Sequence, residues 1–181
     1  QPVATQVPLF FKENNGRKVL QGHIMKNSDH HKAFLQNKNV LAVFTGKHAY
    51  VSGTWYKNPY SPSTWNYMSV HIKGTVSFVR DKELKELLQL TSIHFEKYNE
   101  QSTTVFNNLP VSFIQKALPL IVGFEIEITQ IDTVFKLSQD RDMESYQNII
   151  DALKKEDEDS KTIALEMEKR KKELFEKNDK T

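Results

Sequence analysis

Cysteine is absent from all 181 residues. That excludes a disulfide framework, a thiolate metal site and a cysteine nucleophile, and it is compatible with a reducing compartment. Long apolar runs are absent too: nothing approaches the ~18 residues of a membrane-spanning helix. The opening residues carry no signal-peptide pattern, so the expected location is the cytoplasm. Neither sign of charge dominates. Twenty-five Lys and Arg stand against 23 Asp and Glu, a formal net charge of +2. A dedicated DNA-binding domain usually carries a basic excess on one face, so DNA is left open as a partner but is not supported. Dinucleotide and phosphate-loop glycine patterns are missing, as are the Gly-x-Ser-x-Gly elbow and internal repeats. The chain opens at Gln1-Pro2-Val3 without an initiator Met, and N-terminal residues of the natural protein are expected to be missing.

What is present reads mainly as strands. Residues 3–11 are apolar and β-branched, Asn14-Asn15-Gly16 signals a turn, and residues 17–24 return as the second arm of a hairpin. Residues 28–35 predict a short helix capped by Ser28 or Asp29. Residues 40–45 suit a buried strand broken at Gly46, with a further strand at 47–51. Residues 53–63 read as an ordered aromatic loop. Residues 64–79 alternate as one long strand, with Trp65, Tyr67, Ser69 and His71 on one face and Met68, Val70 and Ile72 on the other. Helices are expected from Asp81, with Leu84, Leu87, Leu88 and Phe95 on the apolar stripe, at 111–118 and at 145–153. Residues 121–131 alternate as a strand with one wet face, and 135–138 continue it after a bend. This pattern predicts a mainly β protein with flanking helices, an α+β class, rather than a doubly wound α/β fold. The expected domains are a barrel over 1–155 and a charged segment over 156–181. That segment reads either as a solvated helix docking on a partner subunit or as a frayed tail.

Four stretches in order carry a family resemblance: Gly22-His23-Ile24; residues 44–52 leading to Thr54-Trp55-Tyr56; Thr64-Trp65-Asn66-Tyr67 with Val70-His71 and Gly74; and residues 121–128 leading to Lys136-Leu137-Ser138-Gln139-Asp140-Arg141. Over roughly residues 2–153 the chain resembles the PaiB-type proteins, the FMN-binding negative transcriptional regulators. The resemblance implies an FMN-binding split β-barrel of the pyridoxamine-phosphate-oxidase-like type, a homodimer with FMN in the cleft between subunits, and a natural chain beginning with a helix and a strand absent here. The sequence departs from the family where Gln6 replaces a His after Ala4-Thr5, and where Met25-Lys26-Asn27-Ser28-Asp29 replaces Ala-Arg-Ala-Asn-Pro. Lys26 keeps the charge of the family's Arg and loses its bidentate fork.

The resemblance and the residues together give a candidate cofactor set: Thr5, His23, Lys26, Ser28, His31, Lys32, Trp65, Asn66, Tyr67, His71, Lys136, Ser138, Gln139 and Arg141. A helix starting near Ser28 presents unpaired N–H groups to a phosphate, with Lys26, His31 and Lys32 nearby; an ordinary capped surface helix is the other reading. His30 and His31 point about 100° apart on a helix and do not share a metal. His23, His48 and His71 read as flavin contacts, as structural histidines or as a three-His metal set, and the metal reading is not adopted. The aromatics at 50–67 wall a ring slot or a dimer interface. Asn66 bonds a flavin edge or pins a turn. Residues 136–141 contact cofactor or partner, or close a strand end. Glu125 and Glu127 are the wet face of a strand and not a catalytic pair. No catalytic set is visible. Three functions follow: an FMN-binding regulator, a flavin-dependent reductase or oxidase of small molecules, and a flavin-free interaction scaffold.

Overall fold

The structure is a computed structural model describing residues 2–14 and 16–175; Asn15 of the expected turn and residues 176–181 of the charged segment lie outside the described residues. Five strands form one sheet in the order β1-β2-β5-β4-β3. They are β1 Phe10–Asn14, β2 Arg17–Met25, β3 Asn39–Val51, β4 Thr64–Phe78 and β5 Ile121–Lys136. The helices are α1 Asp29–Gln36, α2 Asp81–Phe95, α3 Val111–Ala117, α4 Met143–Leu153 and α5 Glu158–Phe175. The predicted hairpin forms, with Phe10 opposite Gln21 and Asn14 opposite Arg17. β2 also pairs antiparallel with β5, from Val19 opposite Glu127 to Met25 opposite Ile121. A mostly antiparallel sheet with flanking helices is the fold class expected.

Three boundaries differ from expectation. β1 starts at Phe10, because Pro2 and Pro8 have no N–H to give a ladder. β3 runs unbroken through Gly46. A Cβ there would lie 3.1 Å from the Met68 carbonyl oxygen, so this glycine permits close packing of the strand against its neighbour. β5 continues to Lys136 without the expected bend, since no turn residue interrupts its alternation.

The chain divides into two compact units, Gln1–Ala42 with Ile72–Gln130, and Val43–His71 with Ile131–Thr181. The division falls within β3 and β4 and at Gln130 within β5. In the first unit, β2 turns Val19, Leu20 and Ile24 inward, joined by Phe34, Ile72, Val76, Leu84, Leu87, Phe124 and Ile126. Phe34 of α1 meets Phe124 edge to face at 5.3 Å.

In the second unit the apolar residues of α4 fall at Tyr146, Ile149, Ile150 and Leu153, the i, i+3, i+4, i+7 pattern of one helix face. They pack with Ile163, Ala164 and Met167 of α5 over Ala49, Val51, Tyr56 and Leu137. Each fully buried large apolar side chain stabilises by roughly 1.5–3 kcal/mol. Asp142 caps α4 by accepting from the Ser145 N–H at 3.0 Å. Asp157 accepts from the Ser160 N–H at 2.8 Å at the start of α5. The Tyr146 hydroxyl donates to the Met167 carbonyl at 2.9 Å, and burial pushes its pKa up to about 12. The described part of the charged segment is therefore a helix with one face buried within its own chain, and Leu165 is exposed.

Candidate functional site

Alternation along β4 sends Trp65, Tyr67, Ser69 and His71 to one side, and all four line a single groove of about 460 Å³ in the second unit. Val43, Thr45, Gly46 and His48 of β3, with Met68, complete the lining. Trp65 is 53% exposed and Tyr67 37%, so the groove is floored by aromatic surface that solvent reaches. The Trp65 ring is held edge to face by His48 at 5.5 Å and by Tyr50 at 5.9 Å. Ser69 Oγ lies 3.3 Å from His71 Nε2. The β3 contributors escaped the sequence reading, except His48, because which strand lies beside β4 cannot be read from alternation.

A second cavity, of about 330 Å³, lies in the first unit and is lined by Thr5, Val7, His23, Ile24, Met25, Ser28 and Ile121. Three candidate residues, Thr5, His23 and Ser28, meet here. Burial lowers the pKa of His23, so at neutral pH it is an uncharged hydrogen-bonding group and not a cation. Ser28 caps α1: its Oγ accepts from the His31 N–H at 3.2 Å and donates to the Met25 carbonyl at 2.8 Å. Thr5 Oγ1 is 2.9 Å from His30 Nδ1. Lys26 is exposed beside this turn.

Other candidates are occupied within the protein. His31 is buried; its Nδ1 accepts from the Asn27 N–H at 3.1 Å, and its ring meets Phe78 at 5.2 Å. It fixes the left-handed Asn27 (φ 65°). Lys32 is exposed and 3.5 Å from Asp29. Asn66 has no exposed surface; its Oδ1 accepts from Ser138 Oγ at 2.9 Å and its Nδ2 donates to Met167 Sδ at 3.4 Å. Lys136 Nζ donates to Thr64 Oγ1 at 2.5 Å and to the Trp65 carbonyl at 2.6 Å. Gln139 Oε1 accepts from the Leu137 N–H at 2.7 Å and its Nε2 donates to the Phe135 carbonyl. The Arg141 guanidinium lies 4.4 Å over the Tyr56 ring. Among the described residues no group of three or more metal-ligating side chains converges. His48 and His71 share the groove while His23 lines the other cavity.

The groove's chemistry fits a flavin ring. Such a ring needs flat apolar surface and a few hydrogen-bonding groups at its edge. Trp65, Tyr67, Met68 and Val43 supply the first; Thr45, His48, Ser69 and His71 supply the second. Bare backbone at Gly46 keeps the β3 side of the lining low, where a side chain would crowd Met68. The start of α1 has the character a phosphate needs, with Ser28 at its cap and Lys26 and Lys32 close in sequence.

Comparison with known proteins bears on the same group. A family model described as "Putative FMN-binding domain" matches residues 1–130. "Protease synthase and sporulation protein PAI 2" of Bacillus subtilis is 33% identical over 157 residues, 87% of this chain and 75% of that protein. An uncharacterized protein of Emericella nidulans is 25% identical over 152 residues, 67% of this chain and 61% of its own length. The solved structure of an FAD and haem binding protein from Mycobacterium smegmatis aligns with a TM-score of 0.50 at 16% identity, covering 71% of this chain and 58% of that one. At that identity the likeness is one of fold, and the fold is the split β-barrel. The chain spans less than two thirds of the fungal relative and of the mycobacterial structure.

Proposed function

This chain belongs to the FMN-binding domain family and takes FMN as its cofactor, and on that premise we propose that it is a homodimeric, cytoplasmic negative regulator of transcription whose output depends on its flavin. The observation that carries the cofactor assignment to particular residues is the β4 face: Trp65, Tyr67, Ser69 and His71, alternate in sequence, line one groove. Trp65 and Tyr67 stack on or flank the ring, and His71, Ser69 and His48 bond its polar edge. Within the first unit, taken by itself, Lys26, Ser28 and Lys32 with Thr5 and His23 are a candidate phosphate-binding group at the start of α1. FMN supplies redox chemistry when bound; the side chains bind it, orient it and limit its contact with water.

Dimerisation is supported by β3, which ends the sheet and leaves Val43, Phe44 and Tyr50 at 51%, 37% and 50% exposure. A long edge strand with apolar side chains pairs or is covered. The regulatory role is supported by the sporulation protein among the relatives. A protein partner suits that role better than DNA, because the basic run of α5 is already engaged: Lys169 and Arg170 by Glu166, and Lys171 by Gln147. A second reading is a flavin-dependent reductase, favoured by the exposure of Trp65 and Tyr67, which leaves room for a second small molecule beside the ring.

The first test is the visible absorption spectrum after FMN addition and desalting. The two-band spectrum of oxidised flavin is expected in the wild type and lost in W65A. A wild-type protein that retains no flavin would overturn the reading and leave a flavin-free scaffold. Turnover of NADH or NADPH with the flavin-loaded protein would favour the reductase over the regulator.

A further inference from the structure

We infer that Lys136, Asn66 and Ser138 are positioning residues of the flavin groove: they fix from behind the strand segment that carries Trp65 and Tyr67. The inference rests on the assignment of the ring to that groove. Three successive residues of β4 are tied by side chains from just past residue 135. Thr64 and the Trp65 carbonyl take the two Lys136 bonds, at 2.5 and 2.6 Å, and Asn66 takes the Ser138 bond at 2.9 Å. Both Lys136 and Ser138 lie beyond the 130 residues that the family model matches.

The choice of residue types argues for position rather than bulk. Asn66 sits without exposed surface beside the apolar core of Val51, Leu137 and Met167. A buried amide is unfavourable unless bonded, and an apolar residue would fill the same space without that need. Its two bonds give the strand a direction that packing alone does not, toward Ser138 on one side and Met167 of α5 on the other. Ser138 has φ 60°, a conformation glycine adopts freely and serine does not. The hydroxyl is what distinguishes serine from glycine here, and that hydroxyl goes to Asn66. Lys136 directs its ammonium at the carbonyl of Trp65, an exposed ring residue of the groove. Since Trp65 and Tyr67 flank Asn66, a small rotation of this segment moves both rings, and site geometry depends on such supporting contacts.

The test uses the full chain titrated with FMN, read by flavin fluorescence, by visible circular dichroism of the bound flavin and by thermal melting. Lys136→Met, and Asn66→Leu combined with Ser138→Gly, are compared with W65A. Removing both buried polar partners together, and relieving the strained serine, leaves the fold standing. We expect FMN binding weakened roughly tenfold in both positioning variants, with an altered circular dichroism band and an unchanged melting temperature, and recovery in Lys136→Arg. Wild-type affinity and dichroism in both, with W65A defective, would overturn the positioning role and leave the groove reading intact. Affinity falling only in step with melting temperature would also overturn it, by showing a general structural role. Wild-type binding by W65A would remove the groove reading, and this inference with it.

Discussion

Two sets of helices in this protein face the same problem and solve it differently. In the second unit, α4 and α5 bury Tyr146, Ile149, Ile150, Leu153, Ile163, Ala164 and Met167 completely. In the first, α2 buries Leu84 and Leu87 but leaves Leu90 and Phe95 exposed, and α3 buries nothing, with Val111 at 69% and Phe113 at 55% exposure. Charge does not explain the contrast, because α5 is the more charged helix. Periodicity does. The α4 stripe repeats at i, i+3, i+4 and i+7 and finds a matching stripe on α5, whereas the seven residues of α3 are too few to form a continuous face. An apolar residue is worth burying only where its neighbours along the helix point the same way.

The contrast is broken most directly by mutation at its two ends. Ile150→Ala is expected to cost about 2–5 kcal/mol in urea unfolding. Phe113→Ser is expected to change stability by no more than about 0.5 kcal/mol. A large loss from the second would show that α3 is covered in solution. Tyr146→Phe comes next, at about 1 kcal/mol for the bond to Met167. It also has a pH signature: the Tyr146 pKa rises from 10.0 to about 12, so its contribution is full below pH 10.0 and is lost as pH rises toward 12. The Phe variant should lack that alkaline decline in melting temperature.

The first unit carries the opposite dependence. Burial holds the His23 pKa below its ordinary 6.5. Its contribution is therefore full above pH 6.5 and is lost as pH falls through the lowered value. His23→Gln should flatten the acid side of the melting curve without moving the alkaline side. A small effect is also expected from Lys47→Met. It breaks an exposed pair with Asp159 at 2.7 Å that joins β3 to α5, and solvent and salt screen such a pair, so the melting temperature should stay at the wild-type value.

Much of this architecture was legible in the residues. Period 2 over 64–79 located β4 within a residue and put the four groove residues on one face. Spacing and residue type also give the helix at 145–153 and a cap at Ser28 or Asp29. What stayed hidden required partners distant in sequence. Asn66 and Ser138 read as cofactor contacts because polar residues near an aromatic run resemble a binding site; their bond to each other spans 72 residues. His31 reads as a phosphate contact because nothing nearby announces that Asn27 turns left-handed and offers it an N–H. The buried face of α5 was masked by composition, since Lys and Glu outnumber Ile163, Ala164 and Met167 along the helix.

The second unit draws on two stretches of sequence, with β3 and β4 in the first and both core helices in the last. The Lys57 N–H, bonded to Ser145 Oγ at 2.9 Å, closes an 88-residue span between them. During synthesis, Val51, Tyr56 and Asn66 leave the ribosome long before anything that covers them. The second unit cannot be completed until α5 has emerged, so the nascent protein carries a sticky, half-made sheet until then. Expression of a fragment ending near residue 130 would freeze it there, and the first sign would be dependence on chaperones rather than any loss of colour.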